Sequence, residues 1–162
     1  STLKSFRENI DIHLNSYSWL ARLVAEAMVK SKKCGSIIQL SSIYGVLGQD
    51  LNIYEGTAIK ENIAYSAIKG GIINFTRQMA SYYGKYDIRI NNLVPGGLVG
   101  HSVADLNTQQ DPIFVKQYSN KVPLKRLGRA EEVASTAVFL ASNASSYITG
   151  ATIMVDGGWS IV

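Results

Sequence analysis

The sequence is poor in the groups from which cross-links and metal centres are built. A single cysteine, Cys34, excludes an intrachain disulfide, and the two histidines, His13 and His101, stand at no metal-ligand spacing from it or from each other. The expected chemistry is metal-free. No apolar run is long enough to span a membrane and no signal-peptide pattern is visible, so a cytoplasmic protein without a membrane partner is expected. Charge of one sign is never concentrated: sixteen Lys and Arg against twelve Asp and Glu give +4, scattered along the chain, which argues against nucleic acid as a partner. Also missing is any G-x-G-x-x-G turn or close variant, the element that lays a dinucleotide pyrophosphate on a helix N-terminus. The chain opens on Ser1 rather than methionine, and a piece of a longer protein is expected.

What is present reads as one soluble globular domain over residues 1–162, with 46% hydrophobic and 17% charged residues and no linker or repeat. Ser5-Phe6-Arg7-Glu8 is a capping-box pattern, predicting a long helix with Phe6, Ile10, Leu14, Leu20, Leu23, Val24, Ala27 and Met28 at roughly helical spacing. Gly35 is expected just past its end. Ser36–Leu40 reads as a buried parallel strand that delivers Ser41 and Ser42 to its carboxyl end, with Cys34 beside it a small core residue rather than a reactive thiol. A polar, irregular segment from about Gly45 to Asn62 follows. Its Tyr54, Glu55, Thr57 and Glu61 either touch a substrate or belong to a solvated loop.

A helix from about Ala64 to Tyr83 carries Ile68, Ile72, Phe75 and Met79 as its stripe and stops at Gly84. Gly70 and Gly71 inside it imply close backbone packing, because each costs about 1 kcal/mol relative to alanine. Ile88–Val94 is the next strand, ended by Pro95-Gly96-Gly97. Asp111-Pro112 starts a short helix in a lid-like stretch. Ala130-Glu131-Glu132 opens another helix, with Val133, Ala137, Val138, Phe139 and Leu140 facing inward, and Ala151–Val155 is a last strand. This order fits an α/β fold with a parallel sheet whose site lies at the strands' carboxyl ends.

Tyr65-Ser66-Ala67-Ile68-Lys69 places a phenol and an ammonium one helical turn apart. An ammonium held beside a phenol favours the phenolate and makes a proton-transfer pair possible. Such pairs occur on many helices as solvated faces. Here, however, three more signals stand in order around the pair: Ser41-Ser42 at a strand end, Asn91-Asn92-Leu93-Val94-Pro95-Gly96-Gly97 at another, and Val155-Asp156-Gly157-Gly158-Trp159 near the C-terminus.

With these motifs the chain resembles the short-chain dehydrogenase/reductase family along nearly its whole length. It is similar only to the C-terminal part of such an enzyme, that of a doubly wound, Rossmann-type parallel sheet lacking its Gly-rich opening. The resemblance implies an NAD- or NADP-dependent oxidoreductase that interconverts an alcohol and a carbonyl, although the chain by itself is expected to be inactive. It implies that Tyr65 is the acid or base, that Lys69 assists it and holds the nicotinamide ribose, and that Ser42 rather than Ser41 orients the substrate oxygen. Pro95, Gly96, Gly97 and Leu98 would contact the nicotinamide.

Two departures stand out. The family's proton-relay asparagine falls on His13, which either holds the relay water or simply packs, and Asn15 is too far round the helix to replace it. Gly100 stands where many relatives carry a carboxamide-binding threonine. A non-catalytic subunit of this fold and a sugar-nucleotide epimerase or dehydratase are the other readings. The polar residues Glu55, Thr57, His101, Ser102, Asp105, Asn107 and Gln109 lean toward a hydroxylated, possibly sugar-like small-molecule substrate. The resemblance also implies a homodimer or homotetramer through the two long helices.

Overall fold

The computed structural model describes residues 2–60, 62–102 and 105–162, with backbone alone at 101–102 and 105–108. The side chains of His101, Ser102, Asp105 and Asn107, and all of Glu61, lie outside the described residues. Three parallel strands carry the fold, in the order β1 (Gly35–Leu40), β2 (Ile88–Pro95), β5 (Thr152–Val155). The central strand β2 is apolar on both faces apart from Arg89, Asn91 and Asn92, as a strand covered on both sides must be. Ile88 and Ile90 are sealed by Ala21, Ala25, Met79 and Ala80, whose small or flexible side chains let the helices lie close to the sheet. The fold is therefore α/β, as the alternation of elements implies.

The first helix departs from expectation in two ways. Helix α1 (Leu3–Ile10) begins earlier than Ser5: Thr2, in extended backbone, accepts the Ser5 amide at 3.2 Å, so Ser5 lies inside the helix and the Ser5–Glu8 box does not form. A π-helical turn, Asp11–Asn15, then separates α1 from α2 (Ser16–Lys30). The face that packs inward is Phe6, Ile10, Leu14, Tyr17, Ala21 and Ala25. Leu20, Leu23 and Val24 are exposed, contrary to the predicted single stripe. Lys32, with φ of 52°, takes the left-handed position after α2, and Gly35 is already the first residue of β1, while Cys34 is exposed in the turn between them, not in the core.

Helix α3 (Ile63–Tyr83) buries Ile68, Ile72, Ile73, Thr76, Met79, Ala80 and Tyr83, and Asn62 caps it by accepting the Ala64 amide at 3.1 Å. A Cβ on Gly71 would stand 3.0 Å from the Leu14 methyl groups, so the bare glycine lets the Leu14 side chain lie close against α3. Helix α4 (Pro112–Lys121) starts as read: Asp111 accepts the Ile113 amide at 2.8 Å. It follows a two-stranded antiparallel pair, β3 (His101–Ser102) and β4 (Asp105–Gln109). Helix α5 (Ala130–Ala141) opens with a box in which Glu132 accepts the Arg129 amide at 2.8 Å. Of its five expected inward residues only Leu140 is buried. Val138 and Phe139 are exposed, because a helix lying on a three-strand sheet presents only a narrow stripe to it.

Candidate active site

The site forms where β1 and β2 end against the N-terminal half of α3. Ser41 and Ser42 follow β1, and alternation sends their side chains apart. Ser41 donates its hydroxyl to the Lys69 carbonyl at 2.8 Å and its amide to the Leu93 carbonyl at 2.8 Å, which ties strand, strand and helix together. Gly45 completes the junction. A Cβ there would stand 2.6 Å from the Lys69 carbonyl carbon, so the chain after Ser42 can press against the backbone of α3 only as glycine. Ser42 opens the 3-10 turn Ile43–Gly45, accepting the Tyr44 amide at 3.3 Å, and its hydroxyl faces a cavity of about 700 Å³ that Tyr65 also lines. Ser41 thus ties the strand ends to α3, and Ser42 is the serine that lines the cavity.

Tyr65 is about a third exposed, and the Lys69 ammonium lies over its ring, 5.6 Å from the centroid. Burial lowers the Lys69 pKa below the ordinary lysine value. Its ammonium donates to the Leu40 carbonyl at 3.4 Å, a long bond that leaves donor capacity for a further partner. Tyr17, which sequence reasoning passed over, holds the same strand end: its hydroxyl accepts the Leu40 amide at 2.8 Å. Its position in phase with Ile10 and Leu14 was the only signal. His13 is exposed on the π-helical turn and borders a separate cavity of about 280 Å³ together with Tyr17, Asn62, Tyr65 and Lys69. Asn15 is turned aside, donating to Asp11 at 2.7 Å.

On the other side stands the turn Pro95–Leu98. Gly96 and Gly97 are glycines because Tyr118 of α4 packs on them: a Cβ at either would come 2.7 Å from its ring or hydroxyl. The Tyr118 hydroxyl accepts the Gly97 amide at 2.5 Å, and its ring stacks on Trp159 at 4.5 Å. Gly96 donates to Val155 and Val99 to Gly128. The Leu98 amide alone, from Gly96 to Val99, has no partner among the described residues. A backbone amide at Leu98 without a partner among the described residues, and a Lys69 ammonium with donor capacity left, are groups that suit a carboxamide and a ribose, so the residues present fit a nicotinamide.

The segment after Ser42 is not a loose loop. Asp50 forms an ion pair with Lys121 of α4, the Glu55 carbonyl accepts from Gln117 at 3.1 Å, and Tyr54 stacks on Phe114 at 5.8 Å. These contacts make segment and helix one wall of the larger cavity. Tyr54 reaches that cavity, whereas Glu55 is exposed and Thr57 is used locally, donating to the Tyr54 carbonyl at 2.8 Å. Among the described residues no helix is long and apolar enough to cross a membrane.

A parallel sheet with a serine, a tyrosine and a lysine gathered at one strand end and a Pro-Gly-Gly turn at the next defines a short-chain dehydrogenase/reductase site, and the chain belongs to that family. The sequence model described as enoyl-(acyl carrier protein) reductase matches residues 1–160. The 3-oxoacyl-[acyl-carrier-protein] reductase FabG of Buchnera aphidicola subsp. Schizaphis graminum is 35% identical over 155 residues, 96% of this chain and 57% of the relative. The post-translational flagellin modification protein A of Campylobacter coli is 33% identical over 154 residues, 95% of this chain and 57% of that protein. The short chain dehydrogenase from Leptospira borgpetersenii, solved with bound NAD+, superposes with a TM-score of 0.84 at 32% identity, covering 99% of this chain and 58% of that one. The chain thus spans little more than half the length of the relatives it matches.

Proposed function

We propose that the protein to which this chain belongs is an NAD- or NADP-dependent oxidoreductase acting on the alcohol or carbonyl of a hydroxylated, possibly sugar-like small molecule. The observation that carries the reading is that Ser42, Tyr65 and the glycines of the Pro95–Leu98 turn line one cavity while the Lys69 ammonium lies over the Tyr65 ring. Bound nicotinamide supplies or accepts the hydride. Tyr65 exchanges the proton with the substrate oxygen, Ser42 holds that oxygen by a hydrogen bond, and Lys69 binds the ribose hydroxyls. Pro95, Gly96, Gly97 and Leu98 set the plane of the nicotinamide, with Tyr118 bracing the turn from behind. His13, at the second cavity against Tyr65 and Lys69, carries the proton onward to solvent. The mixed aromatic and amide lining of the large cavity, with Tyr54, Phe114, Gln49 and Gln110, supports a hydroxylated substrate over a purely apolar one.

The test is a survey of the full-length protein with both nicotinamide cofactors and a panel of polyols, sugar acids, simple alcohols and ketones, followed by the absorbance of the reduced cofactor. Turnover of a hydroxylated member is the expected result. Cofactor binding without turnover of any member contradicts it and favours a non-catalytic subunit of the same fold.

A further inference from the structure

Two tyrosines in the large cavity have no part in the proton transfer just described. Tyr44 comes from the 3-10 turn after Ser42, and Tyr54 from the segment tied to α4. The Tyr54 hydroxyl donates to the Tyr44 hydroxyl at 3.0 Å, and both side chains line the cavity with Ser42 and Tyr65. Two phenols own two protons, and their mutual bond uses one. The other O–H has no partner among the described residues, and oxygen lone pairs remain as well. The pair therefore offers the cavity one donor and spare acceptor capacity, the complement of an alcohol group, which both accepts and donates.

Both hydroxyls are held in place. Tyr44 is buried, and Tyr54 is clamped by its stack on Phe114 and by the Thr57 hydroxyl on its carbonyl. Burial first, and then their mutual contact, push the Tyr44 pKa well above the ordinary tyrosine value, and burial raises that of Tyr54. The pair therefore stays neutral. Around the pair, the faces of Tyr54, Phe114 and Tyr118 provide flat apolar surface. Apolar faces beside a neutral donor and acceptor match a molecule whose C–H face and hydroxyl edge lie side by side.

We infer that the Tyr44–Tyr54 hydroxyl pair is a substrate subsite that binds a second hydroxyl of the substrate, so that the protein prefers diols and polyhydroxylated compounds to molecules with one reacting oxygen. This rests on the oxidoreductase reading for its meaning, but binding alone reads it. The experiment titrates the full-length protein with two probes, trans-cyclohexane-1,2-diol and cyclohexanol, and isothermal titration calorimetry reads the affinity of each.

The diol should bind more tightly than cyclohexanol by about two- to tenfold, the worth of one neutral hydrogen bond. Tyr54→Phe and Tyr44→Phe, which keep the rings, should each abolish the preference while leaving cyclohexanol affinity unchanged, which also shows that the cavity remains folded. Equal affinity for both probes in the parent protein, or a preference that survives in both variants, overturns the subsite. A preference without turnover of any alcohol would keep the subsite and remove the oxidoreductase reading. Turnover without preference would do the reverse.

Discussion

At the scale of single residues, the Tyr65–Lys69 pair was legible from its one-turn spacing, whereas the choice of Ser42 over Ser41 came from the family resemblance. The sequence could not mark Tyr118 or Tyr17. Each acts by a hydroxyl on a backbone amide that is distant in sequence, Gly97 and Leu40, and nothing local announces such a contact. His13 lies between these cases. The family resemblance put it at the relay position, and the structure brings it to the cavity that Tyr65 and Lys69 also border, on a π-helical turn no periodicity foretold. If it passes the proton onward, His13→Asn should hold kcat near the parent value, whereas His13→Leu should lower it about 10-fold or more, the lower range of general acid-base effects. Steady-state rates of the two variants decide this, and equal rates for the parent and the Leu variant would make His13 a packing residue.

At the scale of elements, the three parallel strands and α3 were legible from apolar runs and caps, and what escaped, the antiparallel β3–β4 pair included, was what tertiary contact decides. Asn91 and Asn92 read alike, yet alternation turns them to opposite faces of β2. Asn91 donates to the Ile148 carbonyl at 2.8 Å and accepts the Ala151 amide at 3.0 Å, stitching the sheet to the entry of β5. Asn92, buried across from Gln39 and Thr152, has neither amide atom partnered among the described residues. Asn91→Val strands two backbone groups and should cost about 2–4 kcal/mol, while Asn92→Val strands none and should be neutral or stabilising. Urea denaturation of the two variants measures both. A loss at position 92 as large as that at 91 would refute the distinction. The α1–α2 boundary and the narrow buried stripe of α5 escaped for a related reason: a π-helical turn and a three-strand sheet choose the inward face, not the sequence period.

At the scale of the molecule, the chain covers little more than half of its relatives, and its strand β1 pairs on one side only among the described residues. Composition and the order of elements could place it as a globular α/β protein but not say what meets that edge. The outer faces of α2 and α3 are a second unsatisfied surface: Trp19, Leu20, Leu23 and Val24 lie exposed on one helix and Tyr82 on the other. So large an apolar face on paired helices is what self-association through them would cover. Light scattering of the full-length protein at micromolar concentration should give a dimer or tetramer, and Leu20→Glu combined with Leu23→Glu should shift it to monomer. A monomeric parent would contradict this.

The central claim, that Tyr65 exchanges the proton while Lys69 and the Pro95–Leu98 turn hold the cofactor, is tested most directly by one substitution in the full-length protein. Tyr65→Phe keeps the ring beside Lys69 and removes only the hydroxyl. Turnover on the substrate found active should fall by about 10²–10⁴-fold, while the cofactor dissociation constant and the thermal midpoint stay close to the parent values. A variant that kept more than a tenth of the parent turnover would show that the proton moves through another group.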